Sequence, residues 1–217
     1  MFFANCGFVQ AQHSAYVGVK GGYHVATVNM SHTILRNTVP TSQVFGSLIG
    51  VTAKLFPKPH YGLQWELNYS RKGFDQRLTD TNEEFRTTFD YLEFPFLFNL
   101  YLGKRKTQYF ANFGPFGAVL LNDKTTGPTN SLSEQLDFIY NSERDNKFAF
   151  GLKVAVGIFR EFSFGGIQID GHFTAEISNF LDPVDLSTGV PDNSQNFTLG
   201  ATVAYLIPLG TKFDDGE

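Results

Sequence analysis

The chain has 217 residues and a formal net charge of −4, from 17 basic and 21 acidic side chains, so it lacks the basic excess of a nucleic-acid binder. It is rich in aromatics (24 Phe, 9 Tyr, 1 Trp) and in glycine (21), with a mean hydropathy near neutral. No apolar window reaches the ~18 uninterrupted residues of a membrane-spanning helix, and the most apolar run, "DYLEFPFLFNLYL" at 90–102, carries the helix breaker Pro95, so a β protein is expected.

In chain order, residues 1–12, "MFFANCGFVQAQ", read as the remnant of a secretory signal, with Val9 and Ala11 at the −3 and −1 positions of a cut. The single cysteine, Cys6, lies in this leader, so there is no disulfide framework. "FAN" ahead of it is a poor lipobox, and Cys6 is read as an ordinary leader cysteine. Eight stretches of apolar/polar alternation follow, at 14–25, 44–56, 61–72, 90–102, 109–121, 147–159, 166–178 and 196–209. In the third, Tyr61, Leu63, Trp65, Leu67 and Tyr69 oppose Gly62, Gln64, Glu66, Asn68, Ser70 and Lys72. In the fourth, Leu92, Phe94, Phe96, Phe98, Leu100 and Leu102 oppose Tyr91, Glu93, Pro95, Leu97 and Asn99. The fifth holds Gly114, Pro115 and Gly117, which predict a bulge or bend there.

The connections alternate as well. "PKPH", "GKRKTQ" and "REFSFG" are short, whereas 26–43, 73–88, 122–146 and 179–195 are long and polar. Short turns at one end and long links at the other describe an all-β fold, an eight-stranded antiparallel up-and-down transmembrane β-barrel. It occupies residues 13–210 as one domain, and 211–217 form a short polar tail. At ~3.3 Å per residue and a tilt near 40°, such strands cross an apolar band of ~25 Å.

The sign of the two faces decides between lipid and water. An eight-stranded interior is only wide enough to be filled by side chains or to hold one small ligand. The apolar face is too voluminous to point inward, so it is assigned to lipid. The other face holds Gly18, Gly22, Gly46, Gly50, Gly62, Gly151, Gly157 and Gly200, which suit a narrow lumen. It also holds an interior charge network of Lys20, Lys54, Glu66, Lys72, Glu93, Lys153, Asp170 and Glu176. Four cations and four anions are expected to pair, since an unpaired buried charge costs several kcal/mol. Glu93 is expected to pair with Lys20 or Lys153, and Pro95 to mark an irregularity between the fourth strand and a neighbour. On the lipid face, Tyr23, Tyr61, Trp65, Tyr69, Tyr109 and Tyr205 are assigned to an aromatic belt.

The segments "VGVKGGYHVATVN", "GLQWELNYSRKGF", "YLEFPFLFNLYL", "NFGPFGAVLL" and "LGATVAYLIPLG" resemble, in this order, the PorT-like outer-membrane β-barrel family of Bacteroidota. The resemblance covers about residues 15–209. It implies a location in the bacterial outer membrane, long loops facing outward and both termini in the periplasm. The family takes its name from a member linked to type IX protein secretion. Unlike the proteobacterial pattern, the chain adds "TKFDDGE" after the last strand instead of ending on an aromatic residue.

Signatures of catalysis are missing: there is no G-x-S-x-G, H-E-x-x-H or P-loop, and no enzyme activity or cofactor is expected. His24 and His172 face the interior by parity, with His172 placed nearer mid-strand, and no metal site is assigned to them. Asp182, Asp185 and Asp192 crowd the last long link and are read as an ordinary acidic loop rather than a calcium site. Leu132, Leu136, Ile139 and Tyr140 in 129–141 have helical spacing, consistent with a short helix or a hairpin extension over the mouth. The expected function is that of a small, monomeric, non-enzymatic barrel with a structural or interaction role through its outer loops. Its expected partners are outer-membrane lipid and envelope or secretion proteins, with no nucleic acid. The alternatives are an accessory component of a type IX-like secretion system and a lipocalin-like carrier of a small ligand.

Overall fold

A computed structural model describes residues 14–31, 41–58, 60–77, 84–104, 106–127, 145–181 and 193–209. The leader with Cys6, the segment 129–141, the acidic cluster Asp182, Asp185 and Asp192, and the tail lie outside these residues. Eight strands run in chain order: β1 (Ser14–Ser31), β2 (Thr41–Lys58), β3 (Tyr61–Arg77), β4 (Glu84–Lys104), β5 (Thr107–Thr126), β6 (Phe148–Phe162), β7 (Gly165–Glu176) and β8 (Asn193–Leu209). Each pairs antiparallel with the next, and β1 closes on β8, so the sheet is a barrel without an edge. Closure leaves no free strand edge, as an apolar surround requires.

The alternation sets the faces. Val19, Tyr23, Phe45, Ile49, Val156 and Leu199 are exposed on the outside, while the adjacent Lys20, His24, Val44, Leu48, Ala155 and Thr198 are buried. On β4 the outward run Leu92–Leu102 climbs about 25 Å at ~3.3 Å per residue and a tilt near 40°. Inward glycines make room for neighbours in the narrow lumen: a Cβ on Gly157 would lie 2.7 Å from Phe110 Cζ, and one on Gly62 would lie 3.0 Å from Tyr101 Cε2. At two of the short turns, Gly103 (φ 117°) and Gly165 (φ 142°) take the left-handed backbone that favours glycine.

Several strands are longer than the sequence pattern predicts. β3, β4 and β5 reach Arg77, Glu84 and Thr126, which carries strand structure into the stretches 73–88 and 122–146 read as links. The expected bulge at Gly114–Gly117 is absent: Phe98↔Phe113 and Pro95↔Phe116 keep one register across it. The extra residue is instead Leu121, opposite the step from Asp90 to Tyr91, toward the barrel's rim where bulges commonly occur. Around Pro95 the ladder with β3 passes from Trp65↔Phe96 to Asn68↔Glu93 without pairing the residues between, and the register is unchanged. Pro95 therefore interrupts pairing, because it lacks an N–H, but shifts nothing. The β2–β3 ladder does shift, between Gln43↔Phe74 and Leu48↔Ser70.

Candidate functional site

The interior is layered. At its middle, all eight predicted charges are buried, and most converge on β3. Glu66 accepts from Lys20 Nζ (2.8 Å) and Lys153 Nζ (2.7 Å), and also from the amides of Gln64 and Asn68. Both carboxylate oxygens are thus occupied by donors from β1, β3 and β6. Lys72 Nζ forms the complementary triad, 2.6 Å from Glu93 Oε1 and 3.0 Å from Glu176 Oε1. The contact with Glu93 is an ion pair bent away from hydrogen-bond geometry, whereas that with Glu176 is a hydrogen bond. Asn196 Nδ2 donates to the other Glu176 oxygen at 2.7 Å.

One triad carries a net +1 and the other a net −1. The expected pairing of Glu93 with Lys20 or Lys153 is replaced by pairing with Lys72, because Glu66 draws both of the other lysines. Asp170 is held by neutral donors, Thr202 Oγ1 and Gln168 Nε2 at 2.8 Å each, with His172 Nδ1 at 3.8 Å.

Lys54 departs from the expectation of a paired network. Its Nζ, 1% exposed as a residue, has no hydrogen-bond acceptor and lies over the rings of Phe110 (4.8 Å), Phe159 (5.5 Å) and Tyr101 (5.6 Å). The quadrupoles of three rings take the place of a carboxylate.

Apolar clusters close the lumen above and below. Toward the short turns, Tyr16, Phe56, Tyr101, Phe110, Phe159 and Leu206 form an aromatic plug with edge contacts such as Tyr16–Phe159 at 5.4 Å. Toward the long links, Phe74, Phe89, Tyr91, Phe116 and Leu120 form a second plug. Phe180 and Leu181, from the segment after β7, drop into this second plug. Ser194 ties them down: its Oγ accepts from Leu181 N (2.9 Å) and its carbonyl from Phe180 N (3.1 Å). The sequence reading assigned the inner face to glycines and charges and missed both plugs, although Tyr16, Tyr101 and Phe159 share the inward parity.

His24 and His172 flank Gly200 in register, so they stand at one level rather than two, with ring centroids 6.5 Å apart. His24 Nε2 lies 2.8 Å from Arg71 O, reaching past Gly46 where the β2–β3 ladder is irregular. The ring supplies the hydrogen bond that the ladder lacks there. Among the described residues, no group of three or more His, Cys, Asp or Glu could hold a metal ion.

On the outside, Tyr23, Tyr61, Tyr69, Tyr109 and Tyr205 are exposed, and Tyr205 Oη donates to Phe164 O at 2.6 Å in the adjoining turn. Trp65 is also outward, with its ring 5.4 Å from Phe96, but it lies midway between Tyr61 and Tyr69 rather than at a rim. The apolar outer face and filled lumen are the reverse of a lipocalin, whose large apolar side chains surround a ligand. That reading is set aside.

A closed eight-stranded barrel with an apolar belt outside and compensated charges inside is a transmembrane β-barrel. The chain belongs to the family of outer membrane protein beta-barrel domains, which matches residues 10–182. It is thus a small barrel of the bacterial outer membrane. Among solved structures it is similar to the outer membrane protein OprG from Pseudomonas aeruginosa, at 9% identity and a TM-score of 0.50, over 89% of this chain and 95% of that one. It is also similar to AlkL in DMPC lipid bilayers (12%, TM-score 0.44, 91% and 93%) and to Ail of Yersinia pestis (10%, 0.43, 89% and 99%). At such identities the likeness concerns the fold alone. No curated protein sequence matches the chain.

Proposed function

We propose that this barrel is non-enzymatic and acts through the surfaces it presents at its long-link end, as a structural or interaction protein of the outer membrane, and not as a conduit. The observation that carries this reading is the filled interior: aromatic plugs at both ends enclose ion triads whose charges cancel. Desolvated charges paired within the lumen hold it shut instead of conducting through it. The test is site-specific photo-crosslinking in living cells, from Leu136 in a long link and from lipid-facing Phe113 as control. Discrete protein adducts from Leu136 alone are expected. No adduct from Leu136, together with steady conductance in planar bilayers, would overturn the proposal.

The resemblance of "ELNYSRKGF" and "YLEFPFLF" to PorT-like barrels supports a narrower second reading, an accessory role in a type IX-like secretion system. Deletion would then abolish export of secreted cargo. Unchanged export would remove this reading and leave the first intact.

A further inference from the structure

Above the apolar belt, the outward face of β3–β5 changes character. On β3 the run from Tyr61 to Tyr69 gives way to Arg71, and on β4 the run from Leu102 to Leu92 gives way to Asp90. Three cross-strand rows define the patch: Arg71–Asp90–Asn122, Gly73–Thr88–Lys124 and Asp75–Arg86–Thr126. Both guanidiniums are held in place. Arg71 donates through Nε to Asp90 (2.7 Å), and Arg86 clamps Asp75 through Nε and Nη2 at 2.7 Å each. The Arg71 and Arg86 side chains remain 52% and 60% exposed, so both ion pairs face solvent. Arg71 Nη2 also reaches the hydroxyl of belt residue Tyr69 at 3.4 Å. Two residues along a tilted strand rise only about 5 Å, so Arg71 stands at the membrane interface. Lys124 is exposed on the neighbouring strand, paired in register with Thr88.

We propose that this patch binds a phosphate group of an outer-leaflet glycolipid. Arg71, Arg86 and Lys124 are its cationic contacts, and Thr88 Oγ1 is a neutral donor. Three cations against the two carboxylates that orient them leave the patch positive on a chain of net −4. Continuity with the aromatic belt selects a lipid headgroup over a free solute, since any anion held there sits against the acyl boundary. A planar, pre-oriented guanidinium suits phosphate better than a mobile ammonium does. The proposal requires only that the long-link end face outward, and it is independent of any protein partner.

The experiment is native mass spectrometry of the folded barrel in a neutral detergent, titrated with bisphosphorylated lipid A, dephosphorylated lipid A and phosphatidylglycerol. One bisphosphorylated lipid A per barrel is expected, with weaker adducts of the other two. Lys124→Gln and Arg86→Gln are each expected to weaken it roughly fivefold, following the attraction of one basic residue to an anionic lipid surface. Lys106→Gln, at the short-turn end, is expected to leave it unchanged. Heat-modifiable gel mobility shows that each variant is folded. Equal binding of dephosphorylated lipid A or of phosphatidylglycerol, or an equal loss with Lys106→Gln, would overturn the proposal. Displacement of lipid A by millimolar inorganic phosphate would do so as well, by reassigning the patch to a free anion.

Discussion

Glu66→Gln is the sharpest test of the interior. The substitution keeps the shape, removes the charge and turns one acceptor into an NH2 donor facing Lys20 or Lys153, whose Nζ atoms lie 2.8 and 2.7 Å from the carboxylate. Both lysines are buried, so neither can turn to water. Removing one partner of a buried ion pair costs about 3–5 kcal/mol, and here two cations lose their counter-ion together. Lys54 already stands without a carboxylate partner in the same lumen, so the uncompensated charge cannot be passed to a neighbour. At about 2–4 °C per kcal/mol for a chain of this size, the midpoint should fall by roughly 6–20 °C. Heat-modifiable gel mobility and the fluorescence of Trp65 in detergent micelles both read it. The double variant Glu66→Gln/Lys20→Met should recover part of the loss, because it removes one of the stranded charges. A single variant within ~1 kcal/mol of the parent would refute the view that Glu66 anchors the lumen.

Glu93→Gln should cost less, about 1–2 kcal/mol, because Lys72 keeps Glu176 at 3.0 Å; a loss as large as that of Glu66→Gln in the same melt would contradict this asymmetry. Lys54→Met should leave the midpoint unchanged or raise it, since it keeps the stem against the rings and removes a desolvated charge; a fall of more than ~2 kcal/mol would show that the ring contacts outweigh desolvation. Gly157→Val should lower stability by about 1–3 kcal/mol through overpacking against Phe110 and the Ile169 carbonyl, an effect that Phe110→Ala in the same background should partly relieve.

The barrel was legible because its outside and inside differ in chemistry at period two over most of each strand. The pattern hid the fold where that difference reverses. Beyond Asp90 on β4 and Leu121 on β5, outward residues are Arg86, Thr88, Asn122 and Lys124, while Phe85, Phe89 and Thr87 face in. Outside the bilayer the exterior must be polar and the interior apolar. A rule of apolar-outward alternation therefore reads these strand ends as loops. The choice of Lys72 for Glu93 was unreadable for another reason. Lys72 and Glu93 lie on the paired strands β3 and β4 but four residues out of register, and Glu66 draws Lys20 and Lys153 from β1 and β6, so the choice depends on how far each strand is staggered. Parity assigns a side chain to the lumen but gives no height, and the misplaced levels of His24 and His172 have the same origin.

The ion triads also have a mechanical consequence that strand pairing lacks. In a meander each strand bonds only to its two neighbours, so the ladder alone lets one seam loosen while the others persist. Lys20–Glu66 joins β1 to β3, Lys153–Glu66 joins β6 to β3, and Lys72–Glu176 joins β3 to β7. None of these pairs of strands is adjacent. Slipping any one of them by a single residue would turn its lysine or carboxylate toward lipid, where a charge costs roughly 2–4 kcal/mol at mid-depth. β3 thus acts as a post to which three strands it does not pair with, β1, β6 and β7, are tied. Register is held by charges that parity alone keeps inside, and loss of Glu66 is felt on both sides of the barrel at once.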